Sequence, residues 1–548
     1  MYILLPDLYL LYFHQNVHIF LMSIFIFFYF YSILRTTKYL FLFLPFLIII
    51  PIYLYYISIY KIAINEQIIS VILETNFNEA LQFLGAKVYL YILLFFIWCF
   101  YSVFWVVQHY KKPQVWSHWS RYLVLIVGVV YFFLSYYFNA KISDEIEQAV
   151  GNNNFLVEEE NQFISDLKQT YPLGLIINNW NVFKEQKKIN EAFDKNNNFK
   201  FNAVQLKNEH RKEVYVLVLG ETSRRENWQL NGYQRVTNPL LSQQKNLINF
   251  TDFISVSNVT RESIPMMLTR KLDKHVNRYA FNERSIITVF KEAGFKTYWL
   301  STQQKFGAFD TSTSVYAKEA DHIEFVNKTG YQHIGTYDDI LVSVLEKLVS
   351  EPVQKQFIVI HTLGSHYNYS HRYPSDFDYF KPSLNTVTKY SLQDKKYAQE
   401  LRNSYDNSIL FTDYVLDQLI RVLDRQKDTN SFLMYSSDHG EDIFDGNCQK
   451  SGHGLKTARN FEIASFVWYS NIFAEKYENK IQLLKQNKDR KLNHTAIFPT
   501  LLDAANISIP NYNLEKSILK PFKDYERWIL GRGDFDQEKF IGECREVK

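Results

Sequence analysis

The sequence predicts an α/β protein in two parts: an N-terminal bundle of transmembrane helices, then an exported domain with a mostly parallel sheet flanked by helices. Three observations predict it. Four apolar runs without charge crowd the first 138 of 548 residues. Short β-branched runs recur beyond residue 210, with helical patterns between them. Carboxylates and imidazoles follow directly on the ends of those runs. The expected boundaries are 1–138 for the membrane part, 139–209 for a polar connector and 210–548 for the exported domain.

The four runs are Val17–Leu34, Tyr39–Tyr60, Val88–Val107 and Tyr122–Phe138. Each has about the 17–25 residues that cross a hydrocarbon core as a helix. A soluble amphipathic helix would carry a polar face, and these carry none. Met1–Phe13 is apolar apart from Asp7 and reads as a fifth, poorer span or as the start of the first. No basic segment precedes the apolar run, which disfavours a cleaved signal peptide.

Short basic connections set the orientation. Arg35 and Lys38 separate runs one and two, and Lys111, Lys112 and Arg121 separate runs three and four. The positive-inside rule makes both connections cytoplasmic, so the loop Lys61–Lys87 and everything after Phe138 are expected on the far side. A net charge of +3 with no dense basic block gives no sign of nucleic-acid binding. Cys99 lies in a span, and Cys448 and Cys544 permit at most one disulfide in the exported part.

From Asn139 to Glu209 the chain turns polar, with two Asn triplets, Glu158–Glu160, and a helical stretch expected over Asn161–Thr170. Val214–Leu219 (VYVLVL), Phe357–Ile360 (FIVI) and Phe432–Tyr435 (FLMY) then read as strands buried on both faces. Helical patterns over Ser285–Ala293 and Asn407–Leu423 alternate with them, which suggests the parallel sheet. Ligands of such sheets gather beyond the carboxyl ends of the strands.

Those ends are polar. Gly220, Glu221 and Thr222 follow the first strand, His361 and His366 follow the second, and Ser436 to Glu441 follow the third, with His453 beyond. Singly, Glu221 could be a helix N-terminal carboxylate, His366 a loop residue and Asp438–His439 a turn. Together they supply the mixture of Glu, Asp and His that holds a zinc-like or manganese-like ion. Such an ion lowers the pKa of a coordinated hydroxyl, which threonine needs in order to attack phosphorus. Thr260, in TRESIPM, is the candidate. It would gain from the donors of a helix start, and Pro265 is tolerable if the regular helix begins near Ser263. The bland alternative for Thr260 is a plain N-cap.

VLGETSRRENWQLNGYQRVTNP (Val218–Pro239), TRESIPM (Thr260–Met266), SDHGED (Ser437–Asp442) and GHG (Gly452–Gly454) resemble the phosphoethanolamine transferases of Gram-negative inner membranes. These belong to the sulfatase/alkaline-phosphatase superfamily. The resemblance covers nearly the whole chain, spans included. It implies a sulfatase-like fold, Thr260 as the nucleophile, and Glu221, Thr260, Asp438 and His439 as metal ligands. His366 and His453 would bind substrate or a second metal. Thr75 and Glu79, in the loop ETNFNEALQFL (Glu74–Leu84), match positions that face substrate. The implied cofactor is zinc, one or two ions, with Mn2+ or Mg2+ as alternatives. The implied donor is phosphatidylethanolamine and the acceptor lipopolysaccharide, with the spans presenting both lipids to a periplasmic site near the membrane.

The departures bear on the acceptor. Lipid A transferases carry several disulfides and a cysteine just after the proline of T-x-x-S-x-P, where this chain has Met266. Gly364–Pro374 (GSHYNYSHRYP) lacks the Gly-Pro common in that branch, and Tyr298–Asp321 is more similar to the branch that modifies core heptose. A core sugar is therefore favoured. Among rivals, a sulfatase needs C/S-x-P-x-R, and Met267 stands where the arginine belongs. The ENWQLNGY stretch disfavours a phosphoglycerol transferase acting on a periplasmic glycan. A full ligand set argues against an inactive lipid-binding membrane protein.

Overall fold

The computed structural model describes residues 2–14, 17–60, 63–65, 69, 88–131, 133–134, 162–206, 211–276, 283–303, 312–326, 337–387, 390 and 392–547. The chain divides into two units. One takes in Met1–Phe77 and Ala86–Lys187, the other Asn78–Gly85 and Lys188–Lys548.

Among the described residues of the first unit three helices are long and apolar enough to cross a membrane: Val17–Leu34, Thr37–Ser58 and Ile92–Lys111. Two shorter apolar helices, Tyr2–Phe13 and Ser120–Tyr131, accompany them. The first matches the expected run residue for residue. The fourth expected run, Tyr122–Phe138, passes partly outside the described residues. Apolar side chains cover these helices on all sides, and many stay exposed, among them Phe96, Phe100, Ile126 and Phe133. That surface suits hydrocarbon rather than water.

Asp7 is buried in this unit, and its Oδ1 accepts hydrogen bonds from Ser23 Oγ and from the Tyr171 backbone N–H, each at 2.9 Å. It ties the N-terminal helix to the connector. The expected connector helix is found at Gln162–Gln169, and a longer one, Leu173–Lys195, follows it. The run of Asn and Lys residues had hidden the second helix. Its apolar Leu175 and Val182, a helical spacing apart, pack with Tyr171 against the membrane helices.

The second unit is built on a seven-stranded sheet. Its strands are β1 (Lys212–Gly220), β2 (Leu247–Asn249), β3 (Lys296–Ser301), β4 (His322–Phe325), β5 (Lys355–His361), β6 (Thr429–Ser437) and β7 (Ser465–Tyr469). They lie in the order β2-β7-β6-β1-β5-β3-β4. Pairing is parallel from β6 through β1, β5 and β3 to β4, whereas β7 runs antiparallel to both its neighbours. The three runs read from sequence are the three central strands, and their burial on both faces explains the unbroken apolar pattern.

Helices cover both faces. Ile286–Glu292 and Thr260–Leu268 pack with Leu217, Leu219 and Trp299 on one side. Ile340–Ser350 and the 27-residue Ala398–Asp424 pack with Val216, Val218 and Ile360 on the other. The last of these extends the expected Asn407–Leu423 by more than two turns. Its first part carries Asn403, Ser404, Asp406 and Asn407, all buried, which broke the apolar periodicity. Cys448 and Cys544 form the one disulfide that the composition permits.

Candidate active site

Two neighbouring strand ends create the centre. β1 and β6 are parallel, with Gly220 opposite Ser437, so the next residue on each chain reaches the same rim. Those residues are Glu221 and Asp438. The Asp438 backbone N–H donates to the Gly220 carbonyl at 3.0 Å, and the Thr222 N–H donates to Asp438 Oδ1 at 3.0 Å. Ligand atoms of Glu221, Asp438 and His439 all lie within 4.8 Å of one another, and all three residues are buried.

Thr260 joins this cluster from a different element. Its helix, Thr260–Leu268, starts at Thr260 itself, with Val259 in extended conformation before it and no side-chain cap. The N-cap reading therefore fails, and so does a helix start near Ser263. Pro265 lies inside the helix, where it cannot donate to the Arg261 carbonyl. Thr260 Oγ1 is 3.3 Å from Glu221 Oε2 and 3.3 Å from His439 Nε2. Ser263 points elsewhere: its Oγ is fully buried and donates to the Ser257 carbonyl at 3.1 Å, bracing the loop that delivers Thr260.

Several contacts orient the donors. His439 Nδ1 meets the Gly440 carbonyl at 3.0 Å, which puts the ring proton there and leaves the Nε2 lone pair turned to Glu221 and Asp438. Thr222 Oγ1 donates to Glu221 Oε1 at 2.6 Å. Thr222 itself has a φ of 53°, an uncommon conformation for a β-branched residue. It is held by the Asp438 bond and by the Tyr405 hydroxyl on its carbonyl at 2.7 Å. Gly364 is also left-handed, at φ 50°, and a Cβ there would stand 2.6 Å from the Glu221 carbonyl. That close approach lets the Ser365 N–H donate to the same carbonyl at 3.0 Å.

The charges test whether a metal fits. Two buried carboxylates face each other, and among the described residues neither has a Lys or Arg partner. Asp438 Oδ2 is buried and receives no well-formed hydrogen bond. Burial, then the charge of Asp438, pushes the Glu221 carboxyl well above its ordinary range, and burial raises Asp438 too. Burial, then His453, pushes His439 well below. Such a set of two carboxylates, an imidazole and a hydroxyl calls for a cation at its centre, and its donors suit zinc or manganese. The residues fit a bound metal.

His453 lies beside the cluster, its ring 4.6 Å from that of His439 and 5.8 Å from that of His366. His453 Nδ1 is 3.4 Å from Glu441 Oε2. The structure thus brings Glu221, Thr260, Asp438, His439, His366 and His453 to one rim. Thr75 and Glu79 lie outside the described residues. Four residues outside the expected ligand set support the site; Thr222, His361 and Glu441 are read among the polar strand ends without a role, and Gln303 is passed over in the sequence. Thr222 and Glu441 stand inside the quoted motifs, where adjacency to a ligand was the available signal. Gln303, whose Nε2 is 3.5 Å from Glu221 Oε2, carried none. His361 is buried near Asp438, and neither ring nitrogen has a partner among the described residues.

The class follows from the sheet and the cluster at its rim. Residues 213–507, more than half of the chain, match the family model described as Sulfatase, and the chain belongs to that family. Residues 19–144 match the model described as phosphoethanolamine transferase EptA/EptB. The phosphoethanolamine transferase EptC of Escherichia coli O18:K1:H7 is 30% identical over 331 residues, which are 57% of this chain and 54% of that one. The chain thus spans about half the length of the first curated relatives it matches.

Among solved structures, the periplasmic domain of Escherichia coli EptC in complex with Zn is 27% identical. It covers 63% of this chain and 98% of that one at a TM-score of 0.56. The integral membrane phosphoethanolamine transferase EptA of Neisseria meningitidis is 21% identical and covers 92% of each chain, with a TM-score of 0.68. At that identity it shows the shared fold, from the membrane helices through the sheet.

Proposed function

We propose that the chain is a metal-dependent transferase of the bacterial inner membrane, carrying phosphoethanolamine from phosphatidylethanolamine to lipopolysaccharide, with a core sugar favoured over lipid A. One observation carries this reading. The Thr260 hydroxyl stands 3.3 Å from both Glu221 and His439 in a cation-demanding cluster, on a chain whose N-terminal part matches the EptA/EptB model. The name of the EptC relative and the zinc in its solved domain support the donor group and zinc as the ion, one or two per chain.

Bound zinc would lower the pKa of the Thr260 hydroxyl and offset negative charge gathering at phosphorus. Thr260 Oγ attacks the phosphorus of the lipid as its proton leaves toward Glu221. The bond from phosphorus to the diacylglycerol oxygen breaks, and that oxygen takes up the proton given up by Thr260 and departs as the alcohol. A phosphoethanolamine ester of Thr260 remains. The acceptor hydroxyl then attacks the same phosphorus, and its proton goes to the released Thr260 oxygen. Backbone N–H groups at the start of the Thr260 helix favour the anionic phosphate. His366 and His453 bind substrate or hold a second ion, and Thr75 and Glu79 face the substrate. The catalytic domain works in the periplasm.

Mass spectrometry of lipopolysaccharide from cells with and without the protein tests this. One added phosphoethanolamine, on a core sugar, is expected only when the protein is present. Identical lipopolysaccharide from both would overturn the reading.

A further inference from the structure

A cavity of about 600 Å3 opens in the second unit, and none of Thr260, Glu221, Asp438 and His439 lines it. Its wall includes Arg224, Arg225 and Arg402, the carboxylates of Glu226 and Asp445, and Asn231, Tyr233 and Gln234. The size is that of a small-molecule site, and charged and amide side chains stand along it.

The wall belongs to one network of arginines and carboxylates. Arg224 makes a bidentate pair with Asp445 at 2.6 and 2.8 Å, and Asp445 also lies 3.8 Å from Arg402 and 3.5 Å from Arg459. Arg459 reaches Glu226 at 2.9 Å. Arg545 bridges Glu226 and Glu462 at 3.3 and 2.9 Å, and Arg225 faces Glu462 at 3.5 Å. One connected network therefore holds five arginines and three carboxylates. Asp442, Glu441 and Asp406 are further buried carboxylates that feel the charge of Arg224; burial pushes Asp442 up to about 7, and it accepts from Thr457 and Asn460. Arg402 Nε and Arg459 Nη1 are buried and have no partner among the described residues. Arg225, Arg402 and Arg545 keep about a quarter to a third of their side chains exposed, so guanidinium groups of this network are open to an anion from outside the chain.

The lining describes the rest of that ligand. Tyr233 offers a ring whose hydroxyl is pinned to Asp406 at 2.8 Å, and the amides of Asn231 and Gln234 stand beside it. A flat ring with amides around it suits a pyranose, whose C–H face stacks while its hydroxyls find hydrogen-bond partners. Guanidinium groups beside it suit phosphate. We propose that this cavity is a subsite for a phosphate-bearing sugar of the acceptor glycolipid. The proposal rests on the acceptor reading above. Arg224 links the subsite to the reacting centre, because its Nη1 donates to the Glu441 carbonyl at 3.1 Å and Glu441 contacts His453.

The test titrates the full-length zinc-loaded protein in detergent with three probes: a hexose 6-phosphate, the neutral hexose and inorganic phosphate. The hexose phosphate should bind at least tenfold more tightly than either of the others, and more weakly as salt is raised. Arg402→Gln and Arg225→Gln, on separate elements and each checked by thermal unfolding, should each weaken it about tenfold. Equal affinity for inorganic phosphate, no binding by the wild type, or unchanged binding in both folded variants would overturn the subsite. The same wild-type preparation, given phosphatidylethanolamine without acceptor, reports the Thr260 ester separately. Ester without sugar-phosphate binding defeats the subsite alone, and sugar-phosphate binding without ester defeats the transferase reading.

Discussion

Thr260 Oγ1 and Glu221 Oε2 stand 3.3 Å apart, although 39 residues of chain separate them. Ser263, three residues beyond Thr260, is turned away to the Ser257 carbonyl. Two hydroxyls of one short motif thus have separate surroundings, and they predict separate losses. Thr260→Ala should fold and lose transfer by a factor on the order of 10³ or more, because the covalent route is gone. Ser263→Ala should lose about 1 kcal/mol of stability with one buried hydrogen bond, and keep measurable activity. Peptide mass spectrometry after incubation with phosphatidylethanolamine should find the adduct on Thr260. An adduct on Ser263 would reverse the assignment.

The metal should depend on the two buried acid and imidazole donors more than on the hydroxyl. Asp438→Asn and His439→Ala remove ligands that no other described side chain replaces, so the purified variants should carry little zinc and show no transfer. Thr260→Ala should keep most of its zinc, since water can take the place of one hydroxyl. Elemental analysis beside activity decides this. Full transfer by protein shown to be free of metal would end the account.

The Cys448–Cys544 bond closes a loop of 96 residues and pins a terminal hairpin, Phe540–Ile541 against Glu546–Val547. Cys544→Ser should lower stability by about 2–4 kcal/mol, chiefly by freeing the unfolded chain. Thermal unfolding with and without reductant measures it. Reductant should shift the wild type toward the variant and leave the variant unchanged.

Asp413 supplies a pH dependence away from the centre. It is fully buried and accepts from the Leu240 and Leu241 backbone N–H groups, yet burial pushes its carboxyl up to about 7. A carboxyl raised on folding binds its proton more tightly in the native state. The stability it contributes is therefore full below the unfolded value near 4 and lost as pH rises through about 7. Asp413→Asn removes that titration. The variant should gain unfolding temperature relative to wild type between pH 5 and pH 8, and a constant difference would contradict the assignment.

Orientation is checked by fusion. The basic residues Arg35, Lys38, Lys111, Lys112 and Arg121 predict that a reporter active only in the periplasm will be active when joined after Lys548. Activity of a cytoplasmic reporter alone at that position would reverse the topology.

Sequence by itself determined the elements whose signal is local. Runs of apolar residues marked the membrane helices, because length and lack of charge suffice for that. VYVLVL, FIVI and FLMY marked the central strands, because burial on both faces leaves no polar interruption. Motif order, through the family it resembles, supplied Thr260, Glu221, Asp438 and His439 as the site. Tertiary structure decided which of these residues meet and how. Glu221 and Asp438 share a rim because β1 and β6 are parallel and register Gly220 with Ser437, a pairing across more than two hundred residues that no local pattern encodes. The same holds for the left-handed Thr222 that braces Glu221, for the turning away of Ser263, and for the five arginines gathered from distant segments into one network, three of them lining the cavity. Local propensity reflects each residue's own backbone and burial, whereas a site is a set of distances set by packing, and those exist only once the chain has closed on itself.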